Sequence, residues 1–257
     1  MPHLSFKKNS IHYDVKGTGN PVLLLHGFLE NSTMWDDYTT YLSTTHQVVR
    51  IDLPGHGRSD DLDLHSMDEM AECVYCVLKF LNISSAAVIG HSMGGYVALA
   101  LANNYPELTK RILLFFSSAA ADTPEKKENR ERLKTIVTQN KERFMRHAIS
   151  MLFTKATRQS FASELEKLIK EAQELSTEGI AKTLDGLKTR QDRQHILTTD
   201  ISISFVSGKL DEAIPLASLK SQHSAKAVKK VWLTENGHMG HIEDSNSCLA
   251  AILEFLA

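Results

Sequence analysis

The sequence predicts an α/β fold with a mostly parallel central sheet, helices on both faces of that sheet, and a helical lid inserted in the second half of the chain. Three observations predict it. Short, nearly all-apolar runs alternate with helical stretches, which is typical of parallel strands buried on both faces. A glycine-flanked serine follows one of these runs and precedes a helix. A long stretch later in the chain is rich in charge and poor in helix-breaking residues.

Six apolar runs are the predicted parallel strands because each is short and dominated by β-branched and aliphatic residues. They are residues 22–25, 47–51, 86–89, 112–116, 201–206 and 230–233. The opening segment, residues 4–16, instead alternates polar and apolar side chains around a Lys-Lys-Asn-Ser turn, so it predicts a β-hairpin at the sheet edge.

Composition excludes several function classes. The chain has 29 lysines and arginines against 31 aspartates and glutamates, a formal net charge of −2. Charge-driven binding to nucleic acid is excluded because it requires a basic face. The longest apolar run, residues 96–102, is far shorter than the roughly 18 residues of a membrane-spanning helix. With no recognisable secretory leader and only Cys73, Cys76 and Cys248 as cysteines, we expect a cytoplasmic protein without structural disulfides.

Residues 119–199 differ from their surroundings, since they carry 28 of the chain's 60 charged side chains. No glycine lies between Gly95 and Gly179, and no proline between Pro124 and Pro215, so little interrupts helix formation. The Asp-Thr-Pro-Glu of residues 122–125 is typical of a helix start.

This stretch therefore predicts a helical lid over residues 119–199, inserted between two parts of a core at residues 1–118 and 200–257. Most of its charges are expected to face solvent, while its Phe and Met side chains face inward and cover a pocket.

The strongest chemical signal is Gly90-His91-Ser92-Met93-Gly94, between the apolar run 86–89 and an apolar helix. Small residues on both sides of a serine permit the sharp, strained turn that exposes its hydroxyl, so Ser92 is the candidate nucleophile. The N–H of Met93, at the start of the helix, faces the position of a developing oxyanion.

A serine needs a base to take its proton and an acid behind that base, and both are expected where later strands end. Asp211 follows the strand at 201–206, and His238 follows the strand near 233. Asp122 is the alternative acid, although its helix-start position favours capping. His241 is the alternative base, but it is expected in the following helix, as a capping or surface residue.

In motif and chain order, the protein resembles the α/β-hydrolase superfamily, in the branch of small lidded enzymes that includes carboxylesterases, thioesterases, carbon–carbon bond hydrolases and haloperoxidase-like proteins. Three further segments carry the resemblance outside the lid. They are His26-Gly27-Phe28, the Asp-Leu-Pro-Gly-His-Gly-Arg-Ser of residues 52–59, and Gly237-His238 with Glu243.

The resemblance implies that the N–H of Phe28 is the second oxyanion donor beside Met93, and that His26, His56, Asp52 and Arg58 shape loops. Dehalogenases and epoxide hydrolases of similar layout use an aspartate where this chain has Ser92, so those activities are disfavoured. The predicted substrate pocket is lined by aromatic and apolar side chains of the core and lid. These are Trp35, Phe144, Met145, Leu152 and Met239.

The resulting hypothesis is a serine hydrolase that cleaves an ester, thioester or similar activated acyl compound, without cofactor or metal and with a small-molecule substrate. Two alternatives stay open. The same three side chains serve carbon–carbon bond hydrolysis or lyase chemistry in related enzymes, and the fold serves as a non-catalytic ligand receptor in others. The oligomeric state is left open by the sequence.

Overall fold

A computed structural model describes residues 2–63 and 65–257. Within these residues, eight strands form one sheet in the order β1-β2-β4-β3-β5-β6-β7-β8. The strands are β1 (His3–Phe6), β2 (Asn9–Lys16), β3 (Asn20–Leu25), β4 (His46–Ile51), β5 (Ala86–His91), β6 (Thr109–Phe115), β7 (Ser202–Gly208) and β8 (Val228–Thr234).

The same residues form ten α-helices, which complete the α/β class that the sequence predicts. They are α1 (Asp36–Leu42), α2 (Met67–Phe80), α3 (Met93–Asn104), α4 (Pro124–Gln139), α5 (Lys141–Ser150), α6 (Ala162–Gln173), α7 (Thr177–Thr189), α8 (Leu216–His223), α9 (Gly240–Glu243) and α10 (Ser245–Leu256). No helix among the described residues is both long and apolar enough to cross a membrane.

The sheet is parallel from β4 to β8, and the hairpin β1-β2 adds an antiparallel edge. Strand β3 lies between β4 and β5, with Val22 opposite Val48 on one side and Ala87 on the other. The six predicted strands and the edge hairpin are confirmed. Strand β5 extends to His91, two residues beyond the apolar run, because Gly90 and His91 continue the pairing with β6.

Both faces of the sheet are covered, and successive residues of β3 show it. Val22 and Leu24 pack into an apolar cluster with α1 and α10, whereas Leu23 and Leu25 pack into a second cluster with α2 and α3. All four side chains are fully buried. Two-sided burial explains why the strands are apolar runs instead of alternating patterns.

Helices α4 to α7 form a segment between β6 and β7, as the low glycine and proline content predicts. Thr123 caps α4 by accepting a hydrogen bond from the N–H of Lys126, and Ser176 caps α7 in the same way. The segment has its own apolar cluster, which packs on Leu29 and Met239 from the loops after β3 and β8. The helical segment therefore lies over the carboxyl ends of these strands, where ligand sites form in open parallel sheets.

Candidate active site

Ser92 occupies the sharp turn between β5 and α3. Its backbone has φ +49° and ψ −111°, a conformation that a non-glycine residue adopts only under strain. The turn also depends on close packing around two glycines. A Cβ on Gly90 would lie 2.4 Å from the backbone of Gly94, and a Cβ on Gly94 would lie 2.4 Å from the carbonyl oxygen of Leu25. The flanking glycines thus let α3 pack directly against β3 and β5.

Asp211 and His238 form a buried pair, and His238 lines the same cavity as Ser92. The Nδ1–H of His238 donates to Oδ2 of Asp211 at 2.8 Å, and both side chains are buried. The other carboxylate oxygen, Oδ1, accepts the N–H groups of Ala213 and Ile214 at 2.9 and 2.8 Å. Both oxygens of the carboxylate are therefore hydrogen-bonded, and the carboxylate in turn orients the imidazole ring. Nε2 of His238 has no hydrogen-bond partner in residues 2–63 and 65–257.

The backbone of His238 is held by the helical segment. Its N–H donates to the carbonyl oxygen of Leu152 at 3.1 Å. Glu243 links the same two regions, since it accepts the N–H of Gly237 at 3.1 Å and the N–H and hydroxyl of Thr154 at 3.0 Å each. The glutamate of the terminal motif thus couples the His238 loop to the helical segment.

A second buried polar cluster lies beside the first. The Nδ1–H of His91 donates to Glu30 at 2.7 Å, and the N–H of Gly27 donates to the same oxygen at 2.7 Å. On the other side of its ring, Nε2 of His91 lies 3.2 Å from the carbonyl oxygen of His238. Nε2 of His241 lies 3.6 Å from the second oxygen of Glu30. This cluster connects the loop after β3, the Ser92 turn and the His238 loop.

The charges in this cluster are set by burial and pairing. Burial alone raises the pKa of Glu30, but the facing His91 and His241 rings lower it to about 2. Burial lowers the pKa of His91, and the Glu30 carboxylate and its hydrogen bond reverse this, so the pKa of His91 ends above its ordinary value. Burial lowers the pKa of His241 to about 3 in spite of Glu30. The cluster is thus an ion pair of Glu30 and His91 beside a neutral His241.

Sequence analysis missed this cluster. Glu30, His91 and His241 place ligand atoms within 4.8 Å of one another, and the combination of two histidines and one carboxylate also occurs at metal sites. The residues lie far apart in the chain, so no local motif announces them. One carboxylate oxygen of Glu30 already accepts hydrogen bonds from Gly27 and His91. This favours a structural ion pair over a metal site. His241 lies in the following helix, α9, as predicted, but it is neither a cap of that helix nor a surface residue, because the caps are Met239 and Asp244 and His241 is 6% exposed.

The two residues predicted to donate N–H groups to an oxyanion line the same cavity as Ser92. They are Phe28, in the loop after β3, and Met93, at the first turn of α3. Within the described residues neither backbone N–H donates to a protein acceptor. The loop is strained next to Phe28, since Leu29 has φ +66°. His26 holds this loop, because its Nδ1–H donates to the carbonyl oxygen of Gly27 at 2.7 Å and its Nε2 accepts the N–H of Leu53 at 2.9 Å.

A cavity of about 410 Å³ lies between the sheet and the helical segment. Ser92, His238, Phe28 and Met93 line it, together with Phe144 and Leu152 from the helical segment. Tyr96 of α3 also lines it. The cavity therefore brings together the predicted nucleophile, base and N–H donors with two of the five predicted pocket side chains.

Trp35, Met145 and Met239 do not line this cavity, contrary to expectation. Trp35 is fully buried on the other side of the sheet, where it packs against Tyr38 and Phe115. Met145 of the helical segment and Met239 of the loop after β8 both pack into the apolar cluster of that segment. Apolar character predicts burial but does not indicate which side of an element faces the pocket.

Asp122 is engaged elsewhere. It is buried at the end of the loop after β6 and forms ion pairs with Arg190 at 2.6 Å and Arg130 at 3.1 Å. Its partners are guanidinium groups of the helical segment, while His238 is paired with Asp211. The geometry favours Asp211 as the acid behind the imidazole.

Comparison with known proteins agrees with this architecture, in which a strained serine and a paired histidine share a cavity above a parallel sheet. The chain belongs to the alpha/beta hydrolase fold family, whose family model matches residues 20–244. Among solved structures, a thermophilic esterase from Thermogutta terrifontis, solved with malate bound, has a TM-score of 0.90 and 26% sequence identity. The match covers 99% of this chain and 97% of the esterase.

Two relatives illustrate the range of activities among similar sequences. The dihydrolipoyllysine-residue acetyltransferase component of the acetoin cleaving system of Pseudomonas putida is 28% identical over 243 residues, which cover 93% of this chain. This chain spans 64% of that relative's length. The pimeloyl-(acyl-carrier protein) methyl ester esterase of Nitrosomonas europaea is 37% identical over 109 residues, or 42% of each chain.

Proposed function

We propose that this protein is a serine hydrolase that cleaves an ester, thioester or similar activated acyl compound through an acyl-enzyme on Ser92. One observation carries the proposal. The imidazole of His238, oriented by Asp211 at 2.8 Å, lines the same cavity as the strained Ser92. A strained serine beside an oriented base is the arrangement that makes a hydroxyl nucleophilic.

The proposed reaction assigns one task to each group. Nε2 of His238 takes the proton of the Ser92 hydroxyl as Oγ attacks the acyl carbon, and Asp211 stabilises the resulting imidazolium. The N–H groups of Phe28 and Met93 donate to the oxyanion of the tetrahedral intermediate. His238 then passes its proton to the leaving group, which departs and leaves the acyl group on Ser92.

Water completes the cycle. His238 takes a proton from a water molecule, whose oxygen attacks the acyl carbon, and the proton returns to Oγ of Ser92 as the carboxylic acid product leaves. The groups named in these steps are side chains and backbone N–H groups of this chain, and the proposal assigns no step to a cofactor or metal.

In this proposal residues 119–199 act as a lid on a core made of residues 1–118 and 200–257. Phe144 and Leu152, which line the cavity from the lid side, support the assignment. Substrate selection then depends on lid side chains, while the chemistry depends on loops of the core. The esterase relatives support hydrolysis as the reaction class, and the small cavity supports a small-molecule substrate.

Purified protein tests the proposal with a short p-nitrophenyl ester, with and without a serine-directed phosphonate. We expect turnover that the phosphonate abolishes, and a loss of about 10⁴-fold or more in kcat for Ser92→Ala. Ser118→Ala is the matched control, since Ser118 is also buried but bonds to Gln222. Full activity in Ser92→Ala would refute the mechanism.

A further inference from the structure

The lid side of the active-site cavity carries two cationic side chains that the proposed mechanism does not use. Lys126 and Arg130 both line the cavity and lie four residues apart on α4, so they share one face of the helix. Leu133, one turn further, continues this face as an apolar contact. Helix α4 therefore presents a cationic end and an apolar end to the cavity.

Neither cation is fully paired. Arg130 uses only Nε, which donates to Asp122 at 3.1 Å, and Nη1 and Nη2 have no partner in the described residues. A guanidinium offers five N–H donors in a planar fork, so the larger part of this fork is unused. Lys126 donates one hydrogen bond, to the carbonyl oxygen of Ala213 at 3.0 Å, although an ammonium group has three donors.

The local charge count is positive. Asp122 is a buried carboxylate beside three cations, because Arg190 also pairs with it at 2.6 Å, and Asp211 is a second buried carboxylate near Lys126. Glu212 lines the cavity too, but it is exposed and forms no ion pair in the described residues. Among the side chains that line the cavity, Lys126 and Arg130 counted against Glu212 leave one positive charge, because Glu30 is matched by His91.

The position of the cationic end relative to the proposed chemistry is fixed by Ala213. Its carbonyl oxygen accepts from Lys126, and its N–H donates to Asp211 at 2.9 Å. The ammonium group thus lies at the turn that holds Asp211. The lid also contributes apolar surface to the same cavity from Leu133, Phe144, Ala148 and Leu152.

We propose that the substrate is an acyl compound with a carboxylate remote from its reacting carbonyl, and that Lys126 and Arg130 bind this carboxylate. The inference rests on the proposed function and extends it to a substrate class. A carboxylate accepts two parallel N–H groups from a guanidinium fork and a third from an ammonium, which matches the unused donors. The apolar lid surface then contacts the aliphatic chain between the two ends.

Half-esters test the inference. Monomethyl esters of straight-chain dicarboxylic acids with four to eight carbons are compared with methyl alkanoates of the same length, by titration of released acid. We expect at least one half-ester to exceed its neutral partner in kcat/KM. We call the kcat/KM of the half-ester divided by that of its neutral partner the ratio. The ratio should fall about ten- to hundredfold in Lys126→Met and in Arg130→Met, because a hydrogen bond to a charged group contributes a binding free energy of this size.

Matched variants separate recognition from folding. Lys126→Arg keeps the positive charge, so its ratio should stay close to that of the wild type. Lys127→Met removes an exposed lysine that does not line the cavity, and should leave the ratio and the activity unchanged. Isothermal titration of the free dicarboxylates into wild-type and variant protein gives a second measurement that does not depend on turnover.

The outcomes are distinguishable. If neutral and charged esters are cleaved equally well and dicarboxylates do not bind, the carboxylate subsite is wrong and the hydrolase proposal stands. If no ester is cleaved but dicarboxylates bind to wild type and not to Lys126→Met, the subsite stands and the hydrolase proposal is wrong. A ratio that Lys127→Met lowers as much as Lys126→Met also contradicts the subsite.

Discussion

Replacing Glu30 by glutamine tests whether the buried ion pair with His91 stabilises the Ser92 turn. In the wild type the pKa of His91 lies above its ordinary value because the Glu30 carboxylate outweighs burial. Glutamine still accepts the N–H of Gly27 but carries no charge. Burial is then the largest effect on His91, ahead of the hydrogen bond to His238 and the Asp211 charge, so the pKa of His91 is expected to be lowered. His241 also faces position 30, but its pKa of about 3 keeps it neutral in both proteins near neutral pH.

The expected magnitude follows from these pKa values. Pairing lowers the pKa of Glu30 from 4.5 to about 2, which corresponds to about 3 kcal/mol of unfolding free energy at 1.36 kcal/mol per pKa unit. A raised histidine pKa contributes stability that is fully present below pH 6.5 and is lost as the pH rises through the raised value. A lowered histidine pKa has the opposite effect, since stability is then lost as the pH falls below 6.5.

The free energy of unfolding of Glu30→Gln is therefore expected to be about 3 kcal/mol lower than that of the wild type at pH 6.5. This difference between wild type and variant, the stability gap, should widen by about 1 kcal/mol at pH 5.5. Urea unfolding at pH 7.5, 6.5 and 5.5, followed by the fluorescence of the fully buried Trp35, measures the gap. Glu128→Gln is the control, since Glu128 is exposed and has no ion pair in the described residues. A gap that is absent, or that narrows below pH 6.5, would refute the reasoning.

Three further predictions concern packing, the choice of acid and the cavity. Gly94→Ala should lower stability by about 1 to 3 kcal/mol, because the new Cβ would lie 2.4 Å from the carbonyl oxygen of Leu25, and an unchanged thermal midpoint would contradict this. Asp122→Asn should lower the free energy of unfolding in urea by about 3 kcal/mol, because Arg130 and Arg190 lose their carboxylate partner. It should lower kcat far less than Asp211→Asn, for which a loss of about 10⁴-fold is expected. Equal losses of kcat in the two variants would make Asp122 the acid. Leu152→Trp narrows the cavity while keeping the backbone bond to His238, so KM should rise with acyl chain length across a p-nitrophenyl ester series, and a flat series would exclude Leu152 from the pocket.

The fold was predictable because its signals are local. Each parallel strand is buried on both faces, so a short apolar run marks it directly, as for residues 22–25 within β3. The turn at Ser92 was equally visible, since the glycines at 90 and 94 are required by backbone contacts. The pairing of Asp211 with His238 followed from chain order and strand ends.

The parts of the site that depend on side-chain direction were not predictable from the sequence. Trp35 is as apolar as Phe144, yet it packs into the apolar cluster with α1 and α10 and does not line the cavity. Glu30 and His241 meet only in the folded chain, where Oε1 of Glu30 lies 3.6 Å from Nε2 of His241. The i, i+4 spacing of Lys126 and Arg130 was visible, but nothing local indicates that this face of α4 lines a cavity.

The most direct test of the central claim measures how fast a fluorophosphonate probe labels Ser92. Intact and peptide mass spectrometry locate the adduct, and the labelling rate is compared between wild type, His238→Ala and His241→Ala. We expect one adduct on Ser92 in the wild type and a rate at least about 100-fold lower in His238→Ala, because His238 shares the cavity with Ser92 and is the proposed base oriented by Asp211. An adduct at another residue, or equal labelling rates in wild type and His238→Ala, would contradict it.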